Sequence, residues 1–255
     1  MDMRAEVWSP VQNCAVWLGA WLYGHESTDD LLQALTELGG RPETHDEAPF
    51  IDLFSELRAN TAELIDAPFT QPLLRLVLAG PGDPPALPAG SRAAAVAADN
   101  NAGAIIARTN DPDSHFILIP HLRPNSTVWE AIYQEGPLPA PAWLSPGDAD
   151  RLLAQATEQS ALLIEATGMK SEKLPDPRLT VGTLSDFYDT PGLPSSIPGR
   201  AAKLFARADR VAAIIETVKE RAADHRFDPQ LLMLGRHIRA ARVAGVSYAL
   251  ADFAR

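Results

Sequence analysis

The chain has 255 residues, 46% of them hydrophobic and 22% charged, a globular composition rather than a disordered one. A net charge of −11 argues against a broadly basic nucleic-acid surface and against binding to anionic membranes. One cysteine, Cys14, excludes an intrachain disulfide framework and any multi-cysteine metal site.

The opening MDMRAEVWSPVQ lacks the positive start and apolar run of a secretory signal. No segment approaches the roughly 20 apolar residues that span a bilayer. A soluble, cytoplasmic protein is therefore expected. Residues 11–23 read as a helix that is apolar on most faces, with Val11, Cys14, Leu18 and Leu22 on one stripe and Trp17 and Trp21 on a second. Such a helix must be covered on nearly all sides, by its own domain or by a partner. That makes Trp17 and Trp21 candidate partner contacts.

ESTDDLLQALTELGG is a second helix, capped by Ser27 or Thr28, with Asp29 and Asp30 at the positive end of its dipole and Gly39 as its stop. Residues 41–49 read as a polar loop. Phe50, Leu53, Phe54, Leu57, Leu64 and Ile65 then recur at helical spacing and predict a third helix over 49–66.

At residue 71 the pattern turns to alternation. LLRLVLA, two short strands around Asn100 and Asn101, and HFILIPHL after an NDPD turn predict an antiparallel meander of about four strands over residues 71–121. Its runs are apolar on both faces, so N- and C-terminal amphipathic helices are expected to cover both sides. The fold class expected is α+β, helix-rich, with a small antiparallel sheet.

Beyond Pro124, Thr127 and Glu130 fit a capping box and predict a return to helix. Ser145 and Pro146 start a long helix that Gly168 ends, with Leu152, Leu153, Ala156, Leu163 and Ile164 inward. Residues 169–198 form an irregular Pro-rich segment, either lid or linker. Two helices follow. One spans about 198–223, with Leu204, Phe205, Val211, Ile214, Ile215 and Val218 inward; the next starts at Asp228-Pro229 and continues past Val243. They are expected to pack as an antiparallel hairpin across DHRFD. An α+β domain over 1–144 and a helical region over 145–255 is the expected organisation.

Few residues point to chemistry. His115 and His121 lie six apart in a predicted strand, hence on one face but about 20 Å apart at roughly 3.3 Å per residue. They cannot share a metal, whose ligands converge within a few ångströms. His121 sits where the strand ends, and with Arg123 and Asn125 it is a candidate anion-binding end. ETHDE gathers Glu43, His45, Asp46 and Glu47, and HESTDD sets His25 before Asp29; either needs help from elsewhere to hold a metal, and no known cage spacing is present. No metal and no cofactor are expected.

Asp186, Tyr188 and Asp189 in SDFYDTPG could supply paired carboxylates or simply cap a turn. SSIPGRAAK lacks phosphate-loop spacing, and neither a dinucleotide fingerprint nor a nucleophile elbow occurs. Arg236, Arg239 and Arg242 recur at three-residue steps, a positive stripe that could track phosphates or bind a partner. Three functions follow, in descending order. The first is a protein-binding or adaptor module, with a partner or self-association. The second is a small-molecule hydrolase or transferase near His121, with residues 183–190 as lid. The third is nucleic-acid binding through the arginine stripe.

Overall fold

The computed structural model describes residues 9–68, 70–81, 83–100, 103–140, 143–166, 192–221 and 228–255. They form seven helices and five strands: α1 (Pro10–Leu22), α2 (Thr28–Gly39), β1 (Arg41–Thr44), α3 (Phe50–Ile65), β2 (Leu74–Val77), α4 (Arg92–Asn100), β3 (Ala104–Arg108), β4 (Ser114–Leu122), β5 (Ser126–Glu135), α5 (Pro146–Ala166), α6 (Gly199–Arg221) and α7 (Asp228–Phe253). The chain divides into two compact units. An α/β unit takes residues 10–143, 192–198 and 246–255, and a helical unit takes the remainder, including α5, α6 and most of α7.

The α/β unit holds one mixed sheet in the order β1-β5-β4-β3-β2. β2, β3, β4 and β5 pair antiparallel, whereas β1 lies parallel to β5, with Glu43 opposite Val128 and Thr44 opposite Trp129. The sheet is therefore mixed and five-stranded, not the small antiparallel meander of about four strands that was expected, although β2 to β5 are antiparallel neighbours. Three local readings are corrected. Residues 93–100, expected as a strand, fall in α4, because five alanines in its nine residues favour helix and the Ser91 hydroxyl accepts from the Ala94 amide at its start. Thr127 and Glu130 do not cap a helix. They sit in the ten-residue strand β5, where alternating β-branched and aromatic residues fit a pleated surface. Part of the expected polar loop, Arg41–Thr44, is the short edge strand β1, whose Pro42 suits an edge.

Strand alternation gives the sheet two different faces. On one, Leu118 and Trp129 meet Leu18 of α1, Leu35 of α2 and Phe50, Leu53, Phe54 and Leu57 of α3. On the other, Val77, Ala104, Ile106, Ile117, Ile119 and Ile132 pack with Leu87 and with Ala93 and Ala97 of α4. Among the described residues of this unit, the nine-residue α4 packs on the second face, where a terminal helix was expected. The first three helices match their sequence signals. Ser27 caps α2 by accepting from the Asp30 amide. The positive φ of +75° at its end belongs to Gly40 rather than Gly39, and a Cβ there would strike the backbone of Asn125. α1 is buried along almost its whole length, and Gly19 leaves room for Leu250 in the last turns of α7.

In the helical unit, Ala149, Leu153 and Ala156 of α5, Leu204, Ala208, Val211 and Ile215 of α6, and Leu231, Leu234, Ile238 and Ala241 of α7 share one core. Ser145 caps α5, accepting from the Asp148 amide at 3.1 Å. The connection DHRFD lies largely outside the described residues, as do Gly168 and nearly all of the Pro-rich segment. No described helix is long and apolar enough to cross a membrane.

Candidate functional site

The polar group with the most structure around it lies at one corner of the α4 face of the sheet. Register fixes its membership. Ile119 is opposite Glu130, His121 is opposite Val128, and Glu43 lies across from Val128 on the other side. Residues two apart share a face, so His121, Glu130, Glu43 and the next inward position of the β1 edge, His45, point the same way. The His45 amide continues the ladder, donating to the Trp129 carbonyl at 3.0 Å. A turn follows, closed by the Thr44 hydroxyl on the Ala48 carbonyl at 2.7 Å and by Glu47 at φ 62°.

Glu130 is the centre of this corner. Its side chain is only 8% exposed, yet it is a carboxylate on an otherwise apolar strand face between Val128 and Ile132. Two donors balance the cost of burying it. Arg92, at the first position of α4, reaches one oxygen at 2.6 Å, and His121 Nε2 reaches the other at 3.0 Å. Burial by itself would raise the Glu130 carboxyl. The hydrogen bonds from Arg92 and His121 and the charge of Arg92 outweigh it and hold the group below the ordinary carboxylate range. An ionised carboxylate only accepts, so His121 Nε2 is the donor, and in the neutral ring the Nδ1 lone pair is left to bind. The His45 ring is exposed, and its centre stands 6.4 Å from that of His121.

The structure separates the other candidates from this corner or from one another. Arg123 stays mostly exposed, 4.0 Å from Glu43. Asn125 works through its backbone, its carbonyl accepting from the Arg41 amide at 3.0 Å. The expected anion site is therefore weakened, because a carboxylate already stands beside each of Arg92, His121 and Arg123. His115 occupies the far end of β4, opposite Arg108, and burial together with the charges of Arg75 and Arg108 holds its imidazole below the usual pKa. It does not share a site with His121. Asp186, Tyr188 and Asp189 lie outside the described residues.

Trp21 is 1% exposed. It packs on Phe54 with ring centres 5.1 Å apart, donates to the Thr28 hydroxyl and has the Arg58 guanidinium over its face. It is core, with no surface to offer a partner. Trp17 is half-buried and donates to the Gly192 carbonyl at 3.0 Å. The arginine stripe also breaks up. Arg236 is exposed and Arg239 half-buried, but Arg242 is buried against Asp209 at 2.7 Å. A helix face cannot follow phosphates with a residue that its own core has neutralised.

Sequence reasoning missed Glu130 because it was assigned to a helix, and Arg92 because the α4 segment that begins with it was read as strand from Ala93 onward. The signal was present: in Val128-x-Glu130-x-Ile132 an acid holds an inward position of an alternating strand.

Family comparisons divide the chain where the contacts do. Residues 12–143 match the model described as Rv1486c-like protein, N-terminal domain, and residues 147–243 match the corresponding C-terminal domain. Two Mycobacterium tuberculosis relatives are 27% identical over 243 residues, which covers 82% of this chain and 82% of each of theirs. They are described as uncharacterized protein Rv1486c (strain H37Rv) and uncharacterized protein MT1533 (strain CDC 1551). No solved structure matches.

Proposed function

This chain belongs to the Rv1486c-like protein family, and from that premise we propose that it is a cytoplasmic, non-catalytic protein-recognition module whose α/β unit takes a basic protein partner. One observation carries the reading. The α/β unit holds 18 of the 33 acidic residues and only 7 of the 22 lysines and arginines, so it accounts for the entire net charge of −11. Asp29, Asp30 and Glu37 on α2 and Asp52 and Glu63 on α3 are exposed, and Ile51, next to Asp52 in the chain, is 51% exposed. A field of one sign steers an oppositely charged partner and rejects nucleic acid and anionic lipid. An exposed apolar residue within it supplies contact energy that charge alone does not.

The test is affinity capture with cross-linking, comparing the native chain with a Glu37→Arg/Glu63→Arg/Ile51→Ser variant. Basic proteins held by the native chain, released by salt and lost from the variant, support the reading. A captured set that the variant leaves unchanged overturns it.

A second reading rests on the Glu130-oriented imidazole of His121, which is built as a general base is built. It would make the chain a small-molecule hydrolase or transferase. Its test is a hydrolase and transferase substrate screen with His121→Gln as the control; activity that survives the substitution removes it.

A further inference from the structure

We propose that His45 and His121 together bind a divalent transition-metal ion of the zinc class at the corner of the sheet, with Glu130 holding His121 in the metal-binding tautomer.

Three features meet there. First, the imidazoles stand close to one another. A zinc–nitrogen bond is about 2.0–2.1 Å, so an ion between two rings holds their centres roughly 5–6 Å apart. The centres of His45 and His121 stand 6.4 Å apart, tilted by 48°. His45 is exposed and sits where β1 runs into the turn, so the small closure required falls on a loop residue and not on the core.

Second, the tautomer is set. Metal-binding histidines nearly always donate their other ring N–H to a carboxylate or carbonyl, which fixes the ring and raises the basicity of the ligating nitrogen. Glu130 does this for His121 at 3.0 Å, and it is itself fixed by Arg92 at 2.6 Å. The lone pair of Nδ1 is what remains for an ion. This is more than a buried ion pair requires, since Arg92 alone would neutralise Glu130.

Third, the surroundings suit a cation. Glu43 shares the face two strands across from His121, on the far side of β5 and beside Arg123, and the unit carries a strong negative charge. Among the described residues no three His, Cys, Asp or Glu side chains are gathered into a cage. The site is therefore an open one, two imidazoles with water completing the sphere. Imidazole pairs select zinc, nickel or copper over magnesium and calcium, which demand oxygen.

The test uses tag-free full-length protein, titrated with Zn2+ by calorimetry and, separately, with Cu2+ followed by electron paramagnetic resonance. One ion per chain is expected, with hyperfine splitting from two imidazole nitrogens. His45→Ala and His121→Gln should each weaken binding at least tenfold, and Glu130→Gln about tenfold to a hundredfold, as loss of an outer partner typically does. Magnesium should not compete. His45 is an exposed loop residue, so His45→Ala keeps the test valid if changes at His121 or Glu130 unfold the chain; circular dichroism identifies that case. Absence of binding, or binding that His45→Ala leaves unchanged, overturns the proposal. So does a one-imidazole copper spectrum.

Discussion

Asp209 and Arg242 join α6 to α7 at 2.7 Å with both side chains more than nine-tenths buried, inside a core that is otherwise leucine, isoleucine, valine and alanine. Removing one partner of such a pair leaves an uncompensated charge and typically costs about 3–5 kcal/mol, whereas replacing both by apolar groups is often neutral. Arg242→Met should therefore destabilise strongly, and Asp209→Leu/Arg242→Met should recover most of the loss. Urea unfolding of the single and double variants reads both. A double variant no better than the single one would mean that the pair specifies the helix packing.

The same pair gives a pH signature. Burial raises the Asp209 carboxyl and the charge of Arg242 opposes that rise. Without Arg242 the rise is unopposed. A folded-state pKa above the unfolded one favours folding while the group is protonated, and that stabilisation is lost as pH climbs from the unfolded pKa through the folded one. The deficit of Arg242→Met should be smallest near pH 4 and grow toward neutrality. Thermal melts of native and variant chains over that range test it, and a deficit independent of pH would contradict it.

Gly40 occupies φ +75° with the Asn125 backbone against the site of its missing Cβ. With ψ −167° this is a backbone region essentially reserved for glycine, which costs an L side chain about 1–3 kcal/mol, and the backbone overlap adds to that. Gly40→Ala should cost more than either Gly24→Ala or Gly90→Ala. Those residues also have positive φ but face open space. Comparing the three melting temperatures separates backbone strain from overlap. Equal shifts would show that Asn125 yields freely.

Cys14 is buried in α1, and burial pushes its thiol up to about 12. The thiolate is the reactive form. Native protein should resist a disulfide-exchange reagent at pH 8 and react with one equivalent once denatured. Rapid reaction in the native state would place Cys14 at a surface.

Ser145 accepts from the Asp148 amide and donates to the Asp148 carboxylate at 2.7 Å, and that bond, followed by the one from Arg151, holds the exposed carboxyl below its usual value. Ser145→Ala removes a helix cap, which costs about 1 kcal/mol. It should also return Asp148 toward an ordinary carboxylate, as followed by carboxyl-carbon NMR titration. A carboxyl that keeps its low value would assign the effect to Arg151.

Helices announced by long apolar periodicity were legible in the sequence. α2, α3 and α5 begin within a residue or so of their signals; Ser27 and Ser145 satisfy first-turn amides of α2 and α5, while α3 has no side-chain cap and follows from its periodicity alone. Short elements were not. β1, Arg41-Pro42-Glu43-Thr44, becomes a strand only because β5 offers it a partner. α4 is alanine-rich, which favours helix, but nine residues with small side chains show too little apolar periodicity to announce one. The Thr127–Glu130 spacing satisfies a capping rule and a strand alternation at once. The strand prevails because Trp129 and Ile132 then bury on opposite faces.

Composition and local pattern were enough to determine an acidic α+β chain with one cysteine, its major helices and the strand that keeps His115 and His121 apart. These depend on near neighbours, on a period of two or of 3.6, and on charge. Tertiary structure alone decided that Glu130 would be buried between Arg92 and His121, that His45 would come to stand opposite His121, and that Arg242 would turn inward to Asp209. Each of these is a contact between residues distant in the chain, and its energy exists only after packing has removed the water between them.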